Sequence, residues 1–417
     1  MSPRAGAGAH RVSTAHLQAA YPFVSEGGLG GRGVYIGREL LGGAFCYDPW
    51  DLYAQGVLTN PNMLVAGQVG RGKSSFIKTY LWRQQVFGRQ AWIIDPKGEY
   101  GPLADACGVQ PVRLGPGLPV RLNPLDATAW GSSLDEGEVT RRHLSLLTSL
   151  AAASLGRGLT PDEQAACEAA IVTASARAAG GVLTLPAVVE ALLWPDDDAA
   201  SRIAADAAEL AAAGRQVALE LRRLCQGDLA GMFDGRTTPG LALDGPLVVL
   251  DLSALYGSPA LGLLMLCATA WLQASLHAHA DRRLILVIDE AWAILRHLEI
   301  ARWLQASWKL SRQYGVSNIA VIHRLSDLRA AGADGSEQAV LAQGLLADSE
   351  TRVIYGQSPA ETAQARELLG LTDVEAEVLP ELGRGVALWR VGNRSFLVEH
   401  HLGAHERSLV DTDARMT

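Results

Sequence analysis

The chain has 417 residues, 48% hydrophobic and 19% charged, which is ordinary globular composition and enough for one large or two to three smaller domains. A net charge of -8 argues against a surface dominated by non-specific attraction to nucleic acid, while leaving room for a local basic groove or pore. The five cysteines (Cys46, Cys107, Cys167, Cys225, Cys267) are far apart, form no CxxC pair and sit mostly among apolar neighbours, so they read as buried thiols in a reducing compartment.

Residues 1 to about 32 are rich in glycine and alanine, lack an apolar signal core, and are expected to be poorly ordered until Val34. Residues 33–56 alternate apolar residues with glycines and predict a small β-rich preface. Asn60-Pro61-Asn62 marks a turn. Met63 to Ala66 is then a short apolar strand, followed by a glycine loop, a helix from about Lys73 to Phe87, and a second strand over Gln90 to Asp95. Residues 131–235 change character: they are rich in alanine and leucine, with charges at helical spacing. Thr160-Pro161-Asp162-Glu163 predicts a helix start with its cap and first-turn acids, and Thr184-Leu185-Pro186 begins another. Strands resume at Pro246 to Leu252, Leu284 to Asp289, Asn318 to His323 and Arg352 to Tyr355, as the continuous apolar runs expected of buried parallel strands. The apolar stretch Pro259 to Leu276 carries Thr269, Gln273 and Ser275, and reads as a buried helix between two strands rather than a membrane span. Gly385 to Arg390 and Ser395 to His400 flank Val391-Gly392-Asn393-Arg394 and predict a β-hairpin. The expected organisation is α/β: a flexible N-terminus and preface (1–59), a mainly parallel core (60–130 and 236–417), and an all-helical insertion (131–235).

Four segments carry chemistry. The first, Gly67-Gln68-Val69-Gly70-Arg71-Gly72-Lys73-Ser74, fits G-x4-G-K-[ST] completely, follows an apolar strand and opens a helix. Its glycines let the backbone wrap closely and point N–H groups at phosphate oxygens. Lys73 offers a compact charge to the β- and γ-phosphates of ATP, the Ser74 hydroxyl can ligate Mg²⁺, and Ser75 follows on the helix. The second is the strand LILVI (284–288) delivering Asp289 and Glu290 to its carboxyl end. Asp289 would help to hold Mg²⁺, directly or through water, and Glu290 would orient and deprotonate the attacking water. The third is the turn after the second strand, where Asp95 and Glu99 are candidates to contact the water, the metal or Lys73. The fourth is the region around NIAVIH (318–323). A strand directly after the Asp-Glu strand suggests the P-loop ATPases with an inserted sensor strand. His323 would sense the γ-phosphate, and Arg312 or Arg324 would reach a neighbouring subunit's site. His400, His401 and His405 lack acidic or cysteine partners at a usual metal-ligand spacing. Only four of the 36 basic residues are lysines (Lys73, Lys78, Lys97, Lys309), and two of them fall in these segments.

NPNMLVAGQVGRGKSS (60–75), IIDPKGEYGPLA (93–104), LILVIDEAWAIL (284–295) and NIAVIHRLSDL (318–328), in that order, resemble the ATPases of conjugative and type IV secretion systems, of the FtsK/HerA class of pumping ATPases. Phe233-Asp234-Gly235, Leu369-Gly370-Leu371-Thr372, Glu406-x-x-Leu409 and the helical insertion are similar too, so the resemblance runs from about residue 60 to the end. It implies a RecA-like core, a homo-hexameric ring and ATP hydrolysis at subunit interfaces. It also implies protein or DNA cargo and association with a membrane-embedded translocation complex from the cytoplasmic side. The chain departs from the family in two ways. His323 stands where glutamine is frequent, and only some 60 residues, without a membrane helix, precede the glycine loop where the secretion ATPases usually carry a long N-terminal domain. Three functions follow from these readings: a transfer motor, a soluble DNA translocase of the same class, and a nucleotide-binding assembly subunit that does not hydrolyse.

Overall fold

A computed structural model describes residues 28–410 except 127–134, 179–180, 202–204, 228, 242–244, 259–260, 277–282, 292–297, 310–314, 324–340 and 342–343. The expectation for residues 1–27 lies outside the described residues.

The strands are β1 (Val34–Glu39), β2 (Ala44–Tyr47), β3 (Met63–Ala66), β4 (Gln90–Asp95), β5 (Val112–Arg113), β6 (Leu247–Asp251), β7 (Leu284–Ile288), β8 (Val316–Ile322), β9 (Thr351–Tyr355), β10 (Val386–Val391) and β11 (Arg394–His400). They form one 11-stranded sheet in the order β2-β1-β11-β10-β9-β3-β8-β7-β4-β6-β5. From β9 to β5 every neighbouring pair is parallel, and from β9 through β10, β11 and β1 to β2 every pair is antiparallel. The parallel strands therefore present their carboxyl ends along one edge.

Alternation along the central strands explains why both faces are covered. Met63 and Val65 of β3, with Ala91 and Ile93 of β4, face one apolar layer. Leu64 and Ala66, with Trp92 and Ile94, face the other. The first layer is closed by α2 (Lys73–Gln84) and α3 (Gly101–Ala106), through Phe76, Ile77, Tyr80 and Leu103. The second is continuous with the helical block: α4 (Glu136–Leu155), α5 (Pro161–Arg177), α6 (Leu185–Leu193), α7 (Asp197–Ser201) and α8 (Ala207–Gln226). The helix starts obey the local chemistry read from sequence. Thr160 and Glu163 form a reciprocal capping box with Pro161 in the first turn, and α6 starts after Thr184 with Pro186 in its first turn, although the Thr184 side chain makes no capping hydrogen bond. The apolar stretch after residue 259 is α9 (Leu261–Leu276), buried through Leu264 to Ala268, and no helix among the described residues is long and apolar enough to cross a membrane.

Four local details differ from the sequence reading. The β-rich preface also contains a helix, α1 (Pro49–Ala54). Asp48 accepts hydrogen bonds from the Trp50 and Asp51 amides there, and proline stands in the first turn, a start signal that was legible. β8 begins at Val316 rather than Asn318, directly after Gly315, which has a left-handed φ of 63°. The five cysteines are free thiols, but only three are buried, with Cys46 and Cys107 half-buried. The hairpin of β10 and β11 is tighter than read, with Val391 pairing Arg394 across Gly392-Asn393.

Candidate nucleotide site

β3 ends in the glycine loop, β4 in the Asp95 turn, β7 in Asp289-Glu290 and β8 in His323. Because β8 lies between β3 and β7, all four strand ends meet at one stretch of the sheet edge.

The glycine loop has the backbone its residues were read to permit. Gly67, Gly70 and Gly72 have φ of 148°, 78° and 113°, a region L side chains rarely adopt. A Cβ on Gly67 would meet Tyr355 Cβ at 2.5 Å, so β9 presses directly on the loop. Three contacts pin the loop to the strand ends beside it. The Gln68 amide donates to Gly356 O (3.2 Å), the Gly385 amide donates to Arg71 O (2.9 Å), and Arg71 Nη1 donates to Leu382 O (3.2 Å). Val69, at the tip, is exposed. Lys73, the first residue of α2, is buried and curls back over the loop, donating to Gly67 O and to Gln68 O (2.8 Å). Burial lowers its amine to about 8, against the opposing pull of Asp289 and Glu290. Ser74 and Ser75 follow on the first turn of α2, both partly exposed.

Asp289 is buried. Its Oδ1 accepts from the Glu290 amide (2.9 Å) and its Oδ2 from the Tyr100 hydroxyl (3.2 Å). Burial, with the neighbouring Glu290 and Asp95 charges, pushes its carboxyl up to about 6. An oxygen-only ligand held this close to other carboxylates is stabilised by a hard divalent cation, and the Ser74 hydroxyl is a second donor of that kind, so the residues present fit Mg²⁺. Glu290 is the one non-glycine among the described residues with positive φ, at 53°. Its Oε1 contacts both Lys97 Nζ and His323 Nε2. Burial raises its carboxyl, but His323 and Lys97 outweigh that and bring it down to about 2.

Asp95 has its own task. Its Oδ1 accepts from the Lys97 and Gly98 amides (3.1 and 2.8 Å) and its Oδ2 from the Tyr100 amide (3.0 Å), so it organises the turn that carries Lys97. Burial raises its pKa, and those backbone donors oppose the shift. Glu99 lies half-buried in the same turn. His323 reaches Glu290, and Lys97 joins the cluster although the sequence reading gave it no role. The available signal was its rarity, as one of four lysines in a chain of 36 basic residues. Arg312 and Arg324 lie outside the described residues.

A cleft of about 430 Å³ opens beside α2. It is lined by Gly72, Ser75, Phe76 and Thr79 on one side, and by Arg384, Gly385, His400, His401, Leu402, Arg407 and Val410 on the other. His400 is one of the lining residues. The Trp389 indole can only donate, so its 2.9 Å contact makes His400 Nε2 the acceptor and leaves Nδ1–H to donate to the Tyr355 hydroxyl at 2.6 Å. Burial pushes this imidazole down from 6.5 to about 3. A histidine held neutral in the fold gives stability that is full above about 6.5 and is lost as pH falls toward 3. Between pH 7 and 5 the loss is on the order of 2 kcal/mol. In urea titrations at those two pH values, His400→Gln is expected to flatten that dependence, and an unchanged pH slope would refute the assignment.

Residues 257–381, which carry β7 to β9, match the family model of the type IV secretion-system coupling protein DNA-binding domain. No curated protein sequence matches the chain. The structure is similar to that of VirB4 of Thermoanaerobacter pseudethanolicus, with a TM-score of 0.70 at 22% identity, covering 91% of this chain and 100% of that one. It is also similar to the bacterial conjugative coupling protein TrwB. The unbound form gives 0.54 at 17% identity, covering 82% and 85% of the two chains. TrwB with the non-hydrolysable ATP analogue ADPNP gives 0.54 at 18%, covering 82% and 86%. At these identities the likeness to solved structures is one of fold. The family model and the two folds agree with the class to which the motifs bear resemblance.

Proposed function

We propose that this chain, a type IV secretion ATPase of the FtsK/HerA class by motif, family model and fold, is an ATP-hydrolysing motor for macromolecule transfer. The observation that carries the reading is the convergence of Lys73, Asp289 and Glu290 at one edge of a parallel sheet, on strands separated only by β8. The loop amides and Lys73 hold the phosphates of ATP, with the amino end of α2 behind them. Ser74 and Asp289 would hold Mg²⁺, which would supply charge neutralisation at the phosphates. Glu290 takes the proton of the attacking water. The cleft beside α2 takes the nucleoside, since Ser75 on the first turn of α2 and Thr79 one turn further line it directly after the phosphate loop.

Half of such a site belongs to a neighbouring copy in a ring. Arg312 or Arg324 of that copy is our candidate for neutralising charge in the transition state. The ring is a homo-hexamer, placed in the cytoplasm against the inner face of a membrane-embedded secretion or conjugation complex. Its cargo is protein or DNA, and the coupling-protein match over 257–381 favours DNA.

ATP turnover measured against protein concentration, with and without DNA, tests this. Specific activity rising with concentration supports a site completed in trans, and a flat profile removes the trans arginine. Stimulation by DNA that collapses with added salt supports DNA as cargo. Insensitivity to DNA shifts the reading to protein.

A further inference from the structure

We propose that Lys97 is a positioning residue that, with His323, holds the Glu290 carboxylate idle, and that hydrolysis requires this contact to open. The inference rests on the hydrolytic reading above and concerns regulation of the same site.

The geometry is specific. Lys97 Nζ and His323 Nε2 both engage one atom, Glu290 Oε1, and lie 3.0 Å from each other. A carboxylate oxygen that accepts from an ammonium and is packed against an imidazole nitrogen is poorly placed to accept a proton from water. The three side chains come from three different strand ends, those of β4, β7 and β8, so small relative shifts of those ends make or break the contact. Glu290 keeps a left-handed backbone, φ 53°, which L side chains rarely adopt. Lys97 and His323 hold the Glu290 side chain in this position while the contact is closed.

The same donors explain why the cluster is a latch and not a second metal site. Ligand atoms of Asp289, Glu290 and His323 lie within 4.8 Å of one another, a spacing that a metal ion could bridge. Lys97 puts the chain's own ammonium against this group. Unlike an ion, that ammonium is tethered to the chain through the turn after β4. Glu290 is 1% exposed but the Lys97 side chain is 24% exposed, and its ammonium also lies 5.8 Å from the centre of the Tyr256 ring, itself half-exposed. Lys97 therefore has a second, solvent-facing resting place when Glu290 is released.

The test is steady-state Mg-ATP hydrolysis by the full chain. Lys97→Met keeps the aliphatic stem and removes the ammonium. It is expected to raise kcat roughly ten-fold, the size of one lost charge-assisted hydrogen bond, with KM for ATP unchanged within about two-fold. Lys97→Gln separates loss of charge from altered packing and is expected to give the same rise. Lys97→Arg, which restores a cationic donor, should bring kcat back toward the wild-type value. Adding Glu290→Gln to Lys97→Met should abolish the gain. An unchanged or lower kcat in both Lys97→Met and Lys97→Gln would overturn the proposal. Lys73→Ala separates the two claims. If it removes hydrolysis while the Lys97 variants show no gain, only the latch fails; if it leaves hydrolysis intact, the nucleotide assignment itself fails.

Discussion

Glu290→Gln is expected to lower ATP turnover by about 10²–10⁴-fold while leaving ATP affinity within about three-fold of wild type. The split between the two readouts matters more than the size. Glutamine is isosteric with glutamate and can still orient a water, but it cannot accept a proton. Binding of the phosphates is assigned to the loop amides and Lys73, none of which this substitution touches. Turnover comes from phosphate release and affinity from a fluorescent nucleotide analogue. A variant that hydrolyses ATP at the wild-type rate would remove Glu290 as the base. A variant that stops binding ATP would mean that Glu290 supports the loop rather than the chemistry.

Lys73→Ala should weaken ATP binding by roughly thirty- to a hundred-fold, the equivalent of about 2–3 kcal/mol for a charge-assisted contact in a dry site. Turnover should fall with it. The fold itself should survive. Lys73 is buried at 3% exposure, and its amine is lowered to about 8 by that burial, so the folded chain already disfavours its charge. Among the described residues, its hydrogen bonds go to carbonyls of the loop that phosphates would engage. Isothermal titration for affinity and a thermal melt for stability read the two effects separately. Normal ATP affinity would refute the phosphate assignment. A collapsed melt would show that Lys73 is needed to hold the loop.

Much of the site was legible because its constraints are local. The spacing of Gly67, Gly70 and Gly72 encodes a run of positive φ values that few other residues tolerate, and all three glycines adopt them. An apolar run ending in Asp289-Glu290 encodes a buried parallel strand that delivers acids to the sheet edge, and β7 does so. The helical block was legible through its caps, with the Thr160–Glu163 box the clearest.

What was missed depends on partners far apart in sequence. β1 joins the sheet by pairing Gly37 with His400 across the whole chain, so the preface is part of the sheet edge. No spacing rule near Gly37 announces that contact. A Cβ there would come within 2.0 Å of Glu399 O, a requirement visible only once the strands are paired. β5 is only two residues long, Val112–Arg113, too short for any periodicity to reveal. The Lys97–Glu290–His323 cluster spans three loops, and sequence alone placed His323 toward the γ-phosphate rather than toward Glu290.

The most direct measurement of the central claim is phosphate release from ATP by the purified chain, with Mg²⁺ present and then removed by chelation. The account predicts many phosphates released per chain with Mg²⁺ and none above background without it. Nucleotide bound at one per chain, with no phosphate released under either condition, would contradict it and leave the chain a binding subunit rather than a motor.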